Sequence, residues 1–449
     1  MIERQLGTLI LPDFLIQRPG QPPKANWGIR IAGRTIQAVG SHQELLLAFP
    51  KDDRWRTPGQ TLSPGFVDAH THLSYMIVHA LAGADPDRHG FLDPGWWRRA
   101  GDALTAQTLV PGLESACVNA LRTGITTVNE LVAVPPAWPG ILEQVREIVA
   151  RRGLRALIAG LAPPGSDAHQ LAESLQAVRG FLEGLAQEEE APPDRPGASV
   201  QGAVGLALDA LAQLPDPSAF LQEAQALARQ FRTFLHACAA SDGAAPGSQL
   251  LAQLPWERAR TLLAHAGPLL PALEERLEGG WLYAPLSDDR FQAREDLAAL
   301  LGRGLPVGLG SDGVSVDFFD VLRVAFFLHN AGHPARPITP AQLWRLATEG
   351  NARLLGLAKV GRLEPGWQAD LLLIDTNPPT PLTVENLYAQ LLRYGSRHRV
   401  QAVLAGGRML VCEGVVLNVD LAGVRARAHR AAQRLAEQVA GRPDGEMAG

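Results

Sequence analysis

Cysteine is scarce in this chain of 449 residues, and the three present (Cys117, Cys238 and Cys412) are isolated, with no C-x-x-C spacing. Isolated thiols of this kind are expected to stay free and reduced, which predicts a cytoplasmic protein. The first residues lack the basic and apolar segments of a signal peptide. No apolar run approaches the ~20 residues that a membrane span needs.

A strong charge of either sign is also lacking. Lys and Arg together number 41, Asp and Glu number 46, and the formal net charge is −5. Nucleic acids and anionic membranes attract basic surfaces, so we expect neither as a partner. A small-molecule substrate is expected instead, with a homodimer as the commonest form of assembly. The 46% hydrophobic content is ample for a large core.

The middle of the chain alternates between apolar runs and helical segments. Eight runs are predicted as strands, at 64–72, 125–131, 154–161, 200–206, 233–238, 261–265, 281–285 and 305–310. Alternation of this kind is typical of parallel β/α units. Eight units over roughly 250 residues predict an α/β fold with a closed (β/α)8 TIM barrel.

Short strands are predicted on both sides of the barrel. Residues 1–62 and 359–420 are predicted as the N- and C-terminal parts of one small β-sandwich domain, beside a barrel that spans 63–358. Residues 421–449 form a terminal helix and tail. Thr339 and Pro340 are typical of the N-cap and first position of a helix.

Candidate metal ligands follow four of the predicted strands. Strand 1 ends in His70 and His72, strand 5 in His236, strand 6 in His265, and strand 8 is followed by Asp312. Side chains alternate along a strand, so His70 and His72 face the same way. Active sites of TIM barrels lie at the carboxyl ends of the strands. Imidazoles and a carboxylate brought together there suit Zn²⁺, although iron or manganese would also be held.

These motifs resemble the amidohydrolase superfamily, in its branch of cytosine-deaminase-like and chlorohydrolase-like metal hydrolases. The resemblance spans nearly the whole chain and rests on PGFVDAHTHLS (64–74), the single His236 and His265, GLGSDG (308–313), ATEGNARLLGL (347–357), VGRLEPGWQADLLLID (360–375) and VQAVLAGGRMLVCEG (400–414).

The resemblance implies that His70, His72, His236 and Asp312 hold one divalent metal, with His265 near the attacking water. A divalent metal lowers the pKa of bound water toward ~7. Asp312 can then accept the proton of that water as general base and pass it to the leaving group. His265 can hydrogen-bond the hydroxide or the developing oxyanion.

Two absences narrow this interpretation to a single metal. Binuclear members bridge their metals with a carbamylated lysine or a Glu after strand 4, or with a Cys after strand 3. Here the lysines are Lys24, Lys51 and Lys359, and the carboxylate after strand 4 is Asp209, which is expected to cap a helix. The P-C-x-x-C motif of the other zinc deaminase type does not occur either.

One departure bears on the reaction. Deaminases of this branch carry a Glu three residues after the strand-5 histidine, and it protonates the substrate ring; here that position is Ala239. Either Asp242 or Asp288 replaces this acid, or the substrate needs none. We therefore predict hydrolysis of a non-peptide C–N bond in a small cyclic amide or amidine. The alternatives are a heterocyclic-base deaminase with a relocated proton donor and a metal-binding, non-catalytic relative.

Two other groups of histidines compete as candidates. His329 and His333 have the i, i+4 spacing of helical metal ligands, but they fall where a helix is expected to end. His79 and His89 follow strand 1 in a segment that also contains Trp96 and Trp97. This segment is expected to form either a substrate wall or a packed lid.

Overall fold

A computed structural model describes residues 6–81, 103–135, 137–163, 166–189, 200–238, 252–256, 259–265, 273, 275–287 and 297–440. Strands β1–β5 are Thr8–Leu15, Lys24–Ala25, Trp27–Ala32, Thr35–Ser41 and Asp53–Pro64. Strands β6–β13 are Phe66–Thr71, Ile125–Ala133, Arg155–Leu161, Val200–Ala207, Leu235–Cys238, Thr261–Ala264, Gly279–Tyr283 and Val307–Leu309. Strands β14–β17 are Leu371–Asp375, Val400–Ala405, Arg408–Cys412 and Val415–Val416.

The α-helices of the described residues are numbered in the same way. Helices α1–α6 are His42–Ala48, Ala106–Arg122, Ile141–Arg152, Ala168–Glu189, Leu208–Ala212 and Pro217–Gln230. Helices α7–α12 are Leu297–Gly302, Phe318–Gly332, Pro340–Arg345, Asn351–Leu354, Leu387–Tyr394 and Leu421–Ala440. Two 3₁₀ segments, Leu73–Leu81 and Arg397–Arg399, and one π-helical turn, Leu346–Gly350, complete the set.

Strands β6 to β13 form the barrel sheet. Each strand pairs in parallel with the next one along the chain, from β6 through to β13. Parallel neighbours require crossover connections, which the intervening helices supply. The predicted (β/α)8 class is therefore confirmed.

The two faces of these strands serve different cores. Leu235 and Ala237 of β10 belong to the large cluster shared with the outer helices. Phe234 belongs to a second cluster with Val67 and Leu262, and Cys238 packs against it. Because side chains alternate, His236 lies on the same face of β10 as Cys238.

Asn351 bridges the last barrel strand and the first. Its side-chain amide donates to the carbonyl oxygens of Val67 in β6 and Leu309 in β13, and its Oδ1 accepts from the Leu309 N–H at 2.8 Å. The Asp312 N–H donates to the His70 carbonyl at 2.9 Å in the same region. Asn351 directly follows the π-helical turn, a feature frequent at functional sites. This seam holds the backbones of His70 and Asp312 side by side.

The N- and C-terminal strands join in one second, mixed sheet, which brings together the two terminal segments of the predicted small β-domain. Its order is β17-β16-β15-β14-β5-β1-β3-β4, with β2 paired to β1, so the hydrogen-bonded path is continuous. The two halves meet where β5 pairs antiparallel with β14. At Gly65 the chain passes from β5 into β6; a Cβ there would fall 2.3 Å from Thr126 Cγ2, so only glycine fits. The domain limits at 62, 358 and 420 stay a prediction.

Two helix ends bear on the predictions. Thr339 caps α9 by accepting from the Gln342 N–H, with Pro340 at the first position, as predicted. Helix α2 begins at Ala106 and contains Pro111. No helix among the described residues is both long and apolar enough to cross a membrane.

Candidate metal centre and active site

Three of the four predicted histidines converge on Asp312 at the carboxyl end of the barrel. Asp312 Oδ1 lies 2.9 Å from His70 Nε2 and 3.3 Å from His72 Nε2. Asp312 Oδ2 lies 3.3 Å from His265 Nε2. Each carboxylate oxygen therefore has its own imidazole neighbours. His70 and His72 lie at the end of β6 and directly after it, and His265 directly follows β11.

Backbone conformation directs two of these side chains. His265 and Asp312 both have φ of +54°, in the left-handed region that L-residues seldom adopt. Each residue follows the end of a strand, so the unusual φ turns its side chain away from the direction that the strand would impose. Strain of this kind persists where surrounding structure enforces it, and it clusters at functional sites.

Glycines allow the last strand to approach the first two ligands closely. A Cβ at Gly310 would lie 2.6 Å from the His70 carbonyl oxygen, and one at Gly313 would lie 2.9 Å from that of His72. The GLGSDG motif is thus explained by a close contact between two stretches of backbone.

The protonation of His72 suits a metal ligand. Its Nδ1 lies 3.1 Å from the Leu131 carbonyl oxygen, which can only accept, so Nδ1 carries the proton. Nε2 is then the nitrogen that faces the centre of the cluster and would bind a cation there. Fixing the outer ring nitrogen by a carbonyl is the usual way that proteins orient a metal-binding histidine.

His70 Nε2 is an orphaned polar atom among the described residues. It is fully buried, and no hydrogen bond of acceptable geometry satisfies it, although Asp312 Oδ1 lies at 2.9 Å. Buried nitrogen atoms are otherwise almost always satisfied. Metal ligands lie close together without forming well-aligned hydrogen bonds, because they are arranged around a cation. The atoms around His70 Nε2 have this arrangement.

The structure places His236 one step away from this convergence. Its Nε2 lies 2.9 Å from His70 Nδ1, and its Nδ1 lies 3.2 Å from the Asn129 amide nitrogen. The same Asn129 nitrogen donates to Ala69 O at 2.8 Å, which fixes the orientation of the amide. His236 Nδ1 therefore faces Asn129, and its Nε2 is the nitrogen that faces His70. The predicted ligand role of His236 stays a prediction.

Mutual electrostatics sets the charges in the cluster. Burial alone would raise the pKa of Asp312, but the charge of His265 and the close contacts with His265, His70 and His72 hold it well below its usual range. Burial and the neighbouring imidazoles keep the pKa of His236 well below its usual value. Asp312 is therefore ionised at neutral pH, and His236 is neutral.

The donors fit a divalent cation. Atoms of His70, His72 and Asp312 lie within 4.8 Å of one another, and so do atoms of His70, Cys238 and His265. Nitrogen, carboxylate and sulfur donors in a compact, largely buried group suit Zn²⁺.

Sequence reasoning missed the residues that support the ligands. Asp68 accepts from Ser311 N at 3.0 Å, Ser311 Oγ at 2.5 Å and His70 N at 3.3 Å, so it ties the two motifs together. Glu130 accepts from the Leu73 and Ser74 N–H groups at 2.8 Å each. Asp68 could have been found from its i, i+2 spacing to His70, whereas nothing in the sequence indicates the partners of Glu130.

The rival candidates lie elsewhere. The His329 and His333 rings stack at the end of α8, and His329 Nε2 contacts Arg336 O at 2.8 Å, which indicates a structural role. Asp209 lies in the first turn of α5. His79 lies in the 3₁₀ segment after His72. The predicted proton donors, Asp242 and Asp288, fall outside the described residues. So do Ala239 and the segment with His89, Trp96 and Trp97.

Comparison with known proteins adds the family. The amidohydrolase family model matches residues 61–244 and 258–410. A 5-methylthioadenosine/S-adenosylhomocysteine deaminase of Pelotomaculum thermopropionicum is 26% identical over 431 residues, covering 91% of this chain and 93% of the relative. A deaminase of the same name from Thermococcus onnurineus is 24% identical over 378 residues, covering 79% and 83%.

Solved structures show the same fold. An adenosine deaminase from Xanthomonas campestris with bound zinc has a TM-score of 0.75 at 20% identity and covers 96% of this chain and 99% of its own. An atrazine chlorohydrolase from Arthrobacter aurescens complexed with zinc has a TM-score of 0.74 at 21% identity, with coverage of 95% and 100%.

The chain belongs to the amidohydrolase family. The predicted class, a metal-dependent hydrolase of carbon–nitrogen bonds other than peptide bonds that acts on a small molecule, is thereby confirmed, as is the requirement for a divalent metal.

Proposed function

We propose that this protein hydrolyses a C–N bond of a small cyclic amide or amidine, with His70, His72, His236 and Asp312 as ligands of one divalent metal and with Asp312 and His265 as the catalytic pair. The observation that carries the proposal is the position of Asp312. Its Oδ1 faces the imidazoles of His70 and His72, and its Oδ2 faces the imidazole of His265.

The bound cation would supply a Lewis acid that makes water a nucleophile near neutral pH. Asp312, ionised and only 14% exposed, accepts the proton of the attacking water and delivers it to the leaving nitrogen. His265, 5% exposed, holds Asp312 Oδ2 and lies close enough to donate to the developing oxyanion. Neither step needs an acid at position 239.

Deamination of a heterocyclic base is the second candidate, because several relatives are named as deaminases of adenine nucleosides. Replacement of the ring amino group requires protonation of the ring, and Ala239 cannot provide the proton. A relocated donor would have to do so. The third candidate, a metal-binding relative without catalysis, is opposed by the retention of both Asp312 and His265.

A substrate panel separates the three. The purified protein would be incubated with cyclic amides, lactams and cyclic amidines, and in parallel with 5-methylthioadenosine, S-adenosylhomocysteine and adenosine. Ring opening without ammonia supports the amidohydrolase proposal. Ammonia release from the nucleosides alone overturns it in favour of deamination, and Ala239→Glu should then increase that release. Turnover that disappears on chelation and returns with zinc excludes a non-catalytic role.

The proposal includes the cytoplasm as the location and a homodimer as the assembly. Cys117, Cys238 and Cys412, all among the described residues, form no disulfide, which suits a reducing compartment. Fractionation of the source cells and light scattering of the purified protein would test these two points.

A further inference from the structure

Cys238 lies inside the candidate metal centre. It is the last residue of β10, two positions after His236, so its side chain projects from the same face of the strand. Its sulfur, a His70 ring nitrogen and a His265 ring nitrogen all lie within 4.8 Å of one another. Cys238 is also in hydrogen-bonding contact with both His70 and His72.

A second, independent observation indicates a cation site close to the Cys238 sulfur. His70 Nε2 is fully buried and lacks a properly aligned hydrogen-bond partner among the described residues. It lies 2.9 Å from Asp312 Oδ1, and a nitrogen of the same ring lies within 4.8 Å of the Cys238 sulfur. An imidazole nitrogen, a carboxylate oxygen and a sulfur around one orphaned position are a donor set for a transition metal.

We propose that Cys238 is a thiolate ligand of the metal, provided by the strand that also provides His236. The proposal rests on the metal site of the proposed function but not on its reaction. Thiolate is a soft donor that favours zinc over manganese or iron(II), whose sites are typically built from harder donors. The imidazoles and the carboxylate alone would accept zinc, iron or manganese. A thiolate from Cys238 favours zinc among these three metals.

The other two cysteines do not share these surroundings. Cys117 is fully buried in α2 within the large apolar cluster. Cys412 lies at the end of β16 in the second sheet. They provide matched controls, since each carries a free thiol away from the candidate centre.

Cobalt substitution tests the proposal directly. The full chain would be stripped with a chelator and reloaded with Co²⁺, and the metal content and absorption spectrum would be recorded for the wild type, Cys238→Ser, Cys238→Ala and Cys412→Ser. Sulfur bound to cobalt gives an intense charge-transfer band in the near ultraviolet. We expect this band in the wild type and Cys412→Ser, and its loss in both Cys238 variants, with about one cobalt per chain bound in the first two.

The outcomes separate this inference from the proposed function. One bound cobalt without the band, or a band that survives in Cys238→Ser, overturns thiolate ligation and leaves the metal-dependent hydrolase intact. A wild type that binds no cobalt overturns both. Circular dichroism of the two Cys238 variants confirms that they are folded, and serine is the closer match in size.

Two further readouts do not depend on activity. Cys238→Ser should weaken zinc binding tenfold or more, since even the loss of an outer-shell partner has an effect of that size, and should weaken manganese binding less. Bound zinc should also protect Cys238, but not Cys412, from alkylation by iodoacetamide, as peptide mass mapping would show. Equal alkylation of Cys238 with and without zinc contradicts the proposal.

Discussion

Two sheltered carboxylates of this protein have partners of different kinds. Glu114 in α2 faces Arg152 of α3 through one oxygen and Arg427 of α12, 2.7 Å away, through the other. Asp312 faces His70 and His72 through one oxygen and His265 through the other. Both acids are held ionised, yet only one of the two places is suited to chemistry.

The difference lies in what the partners can do. A guanidinium keeps its charge and has no lone pair to offer a metal, so Glu114 forms a structural ion pair between three helices. Imidazole can be neutral, and its unprotonated nitrogen is a ligand. Among the described residues the charged partners of Asp312 are imidazoles alone, so a divalent cation can complete its charge balance.

The largest expected effect is on turnover. Asp312→Asn keeps the size of the side chain but removes the base and a metal ligand, so we expect kcat to fall roughly 10²–10⁴-fold, the range for loss of a general base, or further. Glu114→Gln should leave kcat unchanged. The measurement is steady-state kinetics on the substrate found in the panel.

Asp375→Asn, in the second sheet, is the matched control for this change of chemistry. It should retain wild-type turnover and metal content. Full activity in Asp312→Asn would show that the carboxylate at the rim is as structural as Glu114.

The seam behind Asp312 should respond next. Asn351→Ala removes hydrogen bonds to Val67 and Leu309 and leaves their buried backbone groups unsatisfied, so we expect a loss of about 3 kcal/mol in the free energy of unfolding. Denaturant titration measures it. Asn119→Ala, which loses one bond within α2, should cost about 0.5 kcal/mol or less. Equal losses of unfolding free energy in Asn351→Ala and Asn119→Ala would show that the hydrogen bonds of Asn351 stabilise the fold no more than an ordinary helix bond does.

Metal loading should stabilise the protein through Asp312 and not through Glu114. Zinc at about 100 times its dissociation constant adds about 2.7 kcal/mol to the free energy of unfolding if it binds the folded state alone. We expect this gain in the wild type and Glu114→Gln, and a far smaller gain in Asp312→Asn. Thermal unfolding with and without zinc gives the comparison, and equal gains in all three would place the metal elsewhere.

The part of the site near His70 could be predicted because its signals are local. Two histidines at strand spacing and a glycine-flanked aspartate after the last strand need only the barrel rule to bring them together. The environment of His236 depends on Asn129, which is distant in sequence, and Asn351 contributes through contacts with both end strands. The sequence predicts a free thiol at Cys238, because its partners His70 and His72 come from the end of β6 and the residue after it, which are distant in sequence.

The smallest expected effect belongs to Glu114 itself. Burial alone would raise the pKa of Glu114, but the hydrogen bonds from Arg427 and Arg152 and their charges lower it overall. Arg427 is 43% exposed, so water screens part of the attraction, and we expect Glu114→Gln to cost about 1 kcal/mol. Because the folded pKa is depressed, the stabilisation is complete above the ordinary glutamate pKa and is lost as the pH falls through the folded value.

The difference in free energy of unfolding between wild type and Glu114→Gln should therefore be largest at neutral pH and should vanish in acid. Denaturant titrations of both proteins across that range measure it. Glu143→Gln, at a side chain 47% exposed whose partner Arg146 lies three residues away on the same helix, should show little difference at any pH. A constant difference for Glu114→Gln at every pH would mean that packing, rather than the two guanidinium groups, is what the glutamate contributes between α2, α3 and α12.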